Sequence, residues 1–133
     1  MFLLNPRTPS SHCPDARSRE LVEKTVAFFE TKGKARLRED DLARAWYSDF
    51  LAFSAREKLF ATFLSPGPLG GDGARWDTWR NCALNEVLGF YGLPYWYTWQ
   101  VSILGLGPIW MSGNEAARAR TAKFLQSLSL IHI

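Results

Sequence analysis

Cysteine and histidine are the first side chains to consider for chemistry, because they ligate metals and act as nucleophiles. The chain has two of each, at Cys13, Cys82, His12 and His132. A zinc site uses about four such ligands at short spacings, and here only His12 and Cys13 are neighbours. Two distant cysteines without a secretory signal pattern instead predict free thiols in a reducing compartment. We therefore expect no metal site and a cytoplasmic location.

Two carboxylates, Glu86 and Glu115, are candidates for general acid–base chemistry. That role needs a positioned partner that matches the pKa of the carboxyl to the reaction, and the sequence offers neither residue such a partner. Glu115 directly follows Asn114, a pair typical of a helix N-terminus. We interpret both carboxylates as structural and Asn114 as a helix cap, so no catalytic residue is predicted in this chain.

Residues 87–113 form a long run without a charged side chain, in which Gln100 is the single side-chain amide. A membrane-spanning helix needs about 20 predominantly apolar residues in a row. This run is interrupted at both ends by glycine and proline, which disfavour a continuous helix: Gly89, Gly92 and Pro94, then Gly105, Gly107 and Pro108. We predict a short buried helix at Pro94–Leu104 and no membrane span.

Composition fits one globular domain of 133 residues, with 47% hydrophobic residues, 14% aromatic residues and six tryptophans. The formal net charge is only +3. The densest basic stretch, Lys32 to Arg38, is followed at once by Glu39, Asp40 and Asp41. These acids would repel phosphate groups, so no nucleic-acid partner is predicted.

Periodicity predicts an all-α fold of about five helices over residues 15–127, after an extended leader at residues 1–14. The first helix is expected to begin at Asp15 or Ser18 and to end at Gly33. Its predicted inner face is apolar: Leu21, Val22, Val26 and Phe29. A second helix is expected to start near residues 39–41 and to continue to residue 64. Its predicted inner face begins with Leu42, Trp46, Phe50 and Phe53.

Turn residues predict a loop at residues 65–73. A third helix is expected from Arg75 to Phe90, with a buried stripe formed by Trp79, Ala83, Val87 and Phe90. The fourth, Pro94–Leu104, is apolar all round, and other elements should therefore cover all of its sides. A last helix is expected at Glu115–Gln126.

The final six residues, 128–133, resemble a laboratory sequence. Back-translation of LSLIHI gives the transposon end that is used to fragment DNA for sequencing. We expect these residues to be an artefactual tail, and the natural reading frame to continue past Ser127 with other residues. A short apolar tail that packs on the core is the alternative.

The segment from Asn85 to Leu125 resembles the N-terminal α-helical domain of the acyl-CoA dehydrogenase family. It reads NEVLGFYGLPYWYTWQVSILGLGPIWMSGNEAARARTAKFL. The resemblance lies in an apolar helix, a Gly-Pro step, a Gly-Asn segment and a helix that ends in Phe-Leu. The stretch Ala45–Pro66 is similar to one branch of the same family. This resemblance extends over residues 16–127 and is a pattern of packing residues.

The resemblance implies that the chain is part of an FAD-dependent enzyme that oxidises acyl-CoA to 2-enoyl-CoA. In the family, the glutamate base and most flavin contacts belong to later domains. This chain alone is therefore expected to be inactive and not to hold FAD. The parent enzyme would be a homo-oligomer that passes electrons to a partner protein. An acyl-CoA oxidase-type relative would share the same domain.

The resemblance also implies an acyl pocket, because the helix before Gly-Pro lines the inner end of the family's acyl tunnel. The matching positions here are Trp96, Trp99, Gln100, Ile103 and Leu104. Bulky tryptophans at this place imply a short, branched or atypical acyl group. Ordinary core packing is an equally good interpretation of the two tryptophans. For Gln100, a pocket role or a buried hydrogen bond is favoured, since a buried amide needs partners.

A different class of function is also open: a small helical protein-interaction module without enzymatic activity. It predicts a cooperatively folded chain. The flavoenzyme interpretation predicts apolar surface left uncovered on this chain.

Overall fold

The computed structural model describes residues 5, 7 and 13–127, and this part of the chain is helical without strands. Its seven helices are α1 (Ala16–Leu42), α2 (Ser48–Arg56), α3 (Leu59–Leu64), α4 (Gly67–Gly70), α5 (Thr78–Tyr91), α6 (Leu93–Met111) and α7 (Glu115–Ser127). The all-α prediction is confirmed, with seven helices among the described residues in place of about five. The predicted tail at residues 128–133, and most of the predicted leader at residues 1–14, lie outside the described residues.

The helices form two compact units. The first contains the chain up to Ser48 together with Thr78–Tyr97, and the second contains Asp49–Asp77 together with the chain from Thr98. Helix α6 starts in the first unit and continues in the second. None of the described helices is long and apolar enough to cross a membrane.

Helix α1 begins as the sequence predicts. The Asp15 side chain accepts hydrogen bonds from the Ser18 backbone N–H and from the Ser18 hydroxyl, both at 2.8 Å. It thereby satisfies one of the amide donors that the first turn of a helix leaves free. The predicted inner face is confirmed, because Leu21, Val22, Val26 and Phe29 are all buried.

The first unit is built on the packing of α1 against α5. Phe29 is at its centre: its ring stacks on Tyr91 at a centroid distance of 4.7 Å and meets the edge of Tyr95 at 4.8 Å. Leu84, Val87 and Leu88 supply the buried face of α5. Large aromatic and aliphatic surfaces are thus removed from water together, which is the main favourable term for this unit.

Gly33 interrupts α1 as predicted, with φ +77°, but the chain resumes a helix at once and continues to Leu42. The prediction of a new helix at residues 39–41 was therefore wrong. The acidic residues there do not start a helix, because they pair with basic residues of the preceding turns. Asp40 binds Lys32 and Arg36 at 2.8 and 3.0 Å.

The long second helix of the prediction is also divided. Left-handed backbone at Arg44, with φ +49°, lies between α1 and α2, and left-handed backbone at Lys58, with φ +59°, lies between α2 and α3. Leu42 and Trp46 are 75% and 65% exposed, so only Phe50 and Phe53 of the predicted inner face are buried. Those two residues belong to the second unit.

Helix α5 is rotated relative to the prediction and starts at Thr78 instead of Arg75. Trp79 and Phe90, predicted to be buried, are 61% and 52% exposed. The inner face instead starts at Arg80, which is fully buried and lies 3.9 Å from the Asp15 carboxylate. Arg80 therefore lies on the inner face of α5, and the neighbouring Trp79 lies on the outer face.

The second unit has α3 at its centre, and all six residues of that helix are buried. Helix α7 packs on α3 and α4, and the Lys58 ammonium donates to the Gln126 carbonyl at 2.8 Å. The segment predicted as a loop at residues 65–73 contains the single turn α4. Gly70 is required in it, since a Cβ there would come within 2.7 Å of the Ala61 carbonyl oxygen.

Candidate functional site

Helix α6 carries every residue that the sequence proposed for a binding site. It is 19 residues long, so the prediction of a short helix at Pro94–Leu104 was wrong. Pro94 is in the first turn, where a missing N–H costs nothing. Pro108 is tolerated inside the helix because it is on the exposed side. There, water can hydrate the carbonyl of Leu104 that proline leaves without its donor.

The five predicted pocket residues lie on one side of α6, within about 140° of the helix circumference at 100° per residue. Their exposure differs across that side. Trp99 is fully buried, Leu104 is 65% exposed, and the remaining three are intermediate: Trp96, Gln100 and Ile103. Trp96 belongs to the first unit and the other four to the second. The side therefore changes from packed core at Trp99 to open surface at Leu104.

Trp99 is a core residue of the second unit. Its ring lies 4.8 Å from that of Phe60 and 5.9 Å from that of Phe63, measured between centroids. Trp110, three turns further along the same face of α6, donates its indole N–H to the Leu64 carbonyl at 2.9 Å and so satisfies a free acceptor at the end of α3. These contacts account for two of the six tryptophans by packing and hydrogen bonding.

Gln100 is half-buried, and its side-chain amide makes no hydrogen bond to another residue of the described segments. The sequence reasoning assumed a fully buried amide that must find protein partners. Partial exposure removes that requirement, because water can hydrate the amide. Gln100 is thus available to a ligand or a partner.

Sequence reasoning missed an exposed face of α6 that lies next to the side of the predicted pocket residues and shares Leu104 with it. It predicted that α6 is covered on all sides, but four of its residues in the second unit are exposed in a line, which we call the α6 stripe: Val101, Leu104, Pro108 and Met111. Three of the four are large side chains that are 46–88% exposed. The intervals of 3, 4 and 3 residues place all four within about 80° of the circumference. That spacing is readable in the sequence and could have revealed the face.

The α6 stripe is electrically neutral. It contains no charged or polar side chain. Monomeric proteins rarely leave a contiguous apolar patch of several hundred Å² in water, and such patches mark interaction sites. The stripe is therefore a surface suited to another apolar surface.

Of the two candidate carboxylates, Glu115 has the structural contact expected for it. Glu86 is exposed on α5. Glu115 is in the first turn of α7 and accepts a hydrogen bond from Arg118 at 2.6 Å. Asn114 accepts from the Ala117 backbone N–H at 3.0 Å, which confirms the predicted cap.

Two of the four basic residues in the stretch Lys32–Arg38 pair with acids that follow it. The Lys32 ammonium is nearly buried, 2.8 Å from the Asp40 carboxylate and 3.3 Å from the Tyr95 hydroxyl. Its hydrogen bond lowers the pKa of Asp40, and burial only partly opposes this. Arg36 pairs with Glu39 and Asp40. Lys34 and Arg38 are exposed.

Both cysteines are free thiols: Cys13 is buried and Cys82 is exposed. Burial raises the pKa of Cys13, so its thiol is protonated and a poor nucleophile near neutral pH. Among residues 13–127 no group of three or more His, Cys, Asp or Glu side chains is placed to hold a metal ion.

No family model, curated protein or solved structure matches this chain.

Proposed function

We propose that this chain is a helical protein-interaction module that binds its partner through the α6 stripe. One observation carries the proposal: an uncharged face is exposed on a helix that also carries the buried core residues Trp99 and Leu106. Many polar and charged residues of the chain, unlike the residues of the stripe, already have partners within the chain, because they form ion pairs and helix caps. The stripe is the surface that gains most from being covered.

A hydrophobic dye tests this proposal. With 8-anilinonaphthalene-1-sulfonate, the chain diluted to a monomer should give strong fluorescence enhancement, and Leu104→Glu should remove most of it. Leu42→Glu is the matched control, since Leu42 is just as exposed but lies on α1. Neither variant should change the helical circular dichroism, because both side chains face solvent. Dye binding that survives Leu104→Glu and disappears with Leu42→Glu would remove the proposal.

A second candidate is an acyl-CoA-binding wall in a larger FAD-dependent dehydrogenase or oxidase. It is favoured by the partly exposed, uncharged side of α6 formed by Trp96, Gln100 and Ile103, together with the resemblance of the segment from Asn85 to Leu125. In this candidate the acyl chain of the substrate lies along that side, and Gln100 closes its far end. FAD, the catalytic base and the contacts to the electron-transfer partner would come from other domains.

Independent sequencing of the locus across codon 127 tests the second candidate. If the second candidate is right, the reading frame should continue into a β-rich domain and then into a helical domain that carries a glutamate base. In that longer protein, Gln100→Leu should change the preferred acyl chain length without changing stability. A stop codon directly after Ile133 would exclude this candidate and leave the interaction module.

A further inference from the structure

We infer that Glu30, Phe90 and Tyr91 form a binding site for the guanidinium group of an arginine side chain. Arg7 of the same chain fills this site, and an arginine of a partner segment can take its place. All four residues belong to the first unit, whereas the α6 stripe belongs to the second. The guanidinium site is therefore separate from the stripe and does not depend on the function proposed for it.

Arg7 shows which chemical group the site accepts. Its Nε–H donates to Glu30 Oε1 at 2.7 Å, and its guanidinium carbon lies over the Phe90 ring, 5.6 Å from the ring centroid. A carboxylate beside the face of a ring matches two properties of a guanidinium group, its charge and its flat shape. The ring favours arginine over lysine, because the lysine ammonium is a compact and strongly hydrated charge.

The carboxylate of the site is held in place from within the fold. The Tyr91 hydroxyl donates to the same Oε1 of Glu30 at 2.6 Å, and the Tyr91 ring stacks on the buried Phe29. The hydrogen bond from Tyr91, followed by the one from Arg7, lowers the pKa of Glu30, so the carboxylate is ionised near neutral pH. Because Tyr91 holds Glu30 without the help of Arg7, the site should keep its shape when Arg7 leaves.

A comparison with Arg56 shows what distinguishes this site from an ordinary surface pair. Arg56 also contacts a carboxylate and a ring, at 3.0 Å from Glu57 and 5.6 Å from the Phe53 centroid. Both of those partners lie within three residues of Arg56 in the sequence. Arg7 instead reaches side chains of α1 and α5 that are distant in sequence. The site therefore receives a side chain from outside the helices that build it.

The contact with Arg7 is weak enough to be exchanged. In this ion pair 58% of the Arg7 side chain and 45% of the Glu30 side chain remain exposed, and exposed ion pairs contribute little free energy. Arg7 should therefore leave the site repeatedly. An arginine on another chain competes directly with Arg7, so Arg7 lowers the apparent affinity of the site by the fraction of molecules in which it is bound.

An NMR titration with N-acetyl-arginine amide tests the site. In Arg7→Ala, the probe should shift the resonances of Glu30, Phe90 and Tyr91, with a dissociation constant on the order of 1–10 mM for one exposed pair and one ring contact. The wild-type chain should bind the probe roughly threefold more weakly, because Arg7 competes with it. N-acetyl-citrulline amide has nearly the same shape without the charge and should not bind.

Two glutamate variants in the Arg7→Ala background locate the binding. Glu30→Gln should remove most of it, since the charge that pairs with the guanidinium is lost. Glu20→Gln is the matched control and should bind the probe as before, because Glu20 is a similarly exposed residue of α1 that pairs with Arg17 and Lys24. The inference would be overturned by resonance shifts that survive Glu30→Gln, by the absence of shifts in Arg7→Ala, or by equal affinities of Arg7→Ala and the wild type.

Discussion

The two units of this chain are stabilised by different means. The first unit holds its helices with charged and hydroxyl groups around an aromatic centre: Asp15 with Arg80, Lys32 with Asp40, and Tyr91 with Glu30. The second unit depends on apolar packing around α3, with Trp99 between Phe60 and Phe63. Polar contacts respond to pH and to the loss of one partner, whereas apolar packing responds to lost volume. The same chain should therefore show two kinds of sensitivity.

The largest effect is expected in the second unit, from Trp99→Ala. Removing this fully buried ring leaves a cavity beside Phe60 and Phe63, and should lower the free energy of unfolding by about 3–5 kcal/mol. Trp79→Ala removes the same side chain from a site that is 61% exposed and should cost less than about 1 kcal/mol. Urea denaturation followed by circular dichroism measures both. Equal costs for the two variants would contradict the assignment of Trp99 as the centre of this unit.

The start of α1 could be predicted from the sequence because its signals are local. Asp15 caps the helix, the stripe from Leu21 to Phe29 has helical spacing, and Gly33 marks the break. All of these lie within a few residues of the feature that they determine. Local signals of this kind do not depend on the rest of the fold.

The faces of α5 and α6 could not be predicted in this way, because they depend on contacts distant in sequence. Arg80 lies inward near Asp15, which is far away along the chain, and its neighbour Trp79 lies outward. The length of α6 was underestimated because Pro108 was expected to end the helix. Its place on the solvent side removes most of the cost that proline has in a covered helix. The α6 stripe was missed for the same reason, since an apolar helix was assumed to be covered everywhere.

Gly33→Ala should have the next largest effect, and it acts on the first unit. Gly33 has φ +77°, a conformation that L side chains rarely adopt, and a Cβ there would meet no other atom. The whole cost is thus backbone strain, of about 1–3 kcal/mol.

Gly107→Ala is the control for Gly33→Ala, because a Cβ at this helical position also meets no atom but φ is not positive. It should stabilise the chain by about 0.5–1 kcal/mol. In thermal denaturation, Gly33→Ala should lower the melting temperature and Gly107→Ala should raise it. That result would assign the cost at Gly33 to backbone strain and not to crowding by the added Cβ. Stabilisation by both substitutions would mean that the break at Gly33 is not needed.

A smaller, pH-dependent effect is expected for Asp40→Asn. The Lys32 ammonium lowers the pKa of Asp40 in the folded chain. Its stabilising contribution is therefore complete above the ordinary aspartate pKa of about 3.9 and is lost as the pH falls through the lower folded value. The variant should be less stable than the wild type near neutral pH, and the difference should vanish in acid. A stability difference between the two proteins that does not change with pH would exclude the ion pair as its cause.

The smallest effect concerns Tyr91 and appears only in alkali. Burial, together with the hydrogen bond that the phenol donates to Glu30 at 2.6 Å, raises the pKa of Tyr91 to about 12. The pKa of Tyr91 in the folded chain lies above the ordinary tyrosine pKa of about 10. The protonated phenol therefore contributes its full stabilisation of the fold below pH 10. That stabilisation is lost as the pH rises towards 12. Spectrophotometric titration should show a late phase, and Tyr91→Phe should remove it. If that phase persists in Tyr91→Phe, the hydrogen bond between Tyr91 and Glu30 does not exist in solution. The first unit would then contain one polar contact fewer, and its contrast with the apolar second unit would be smaller.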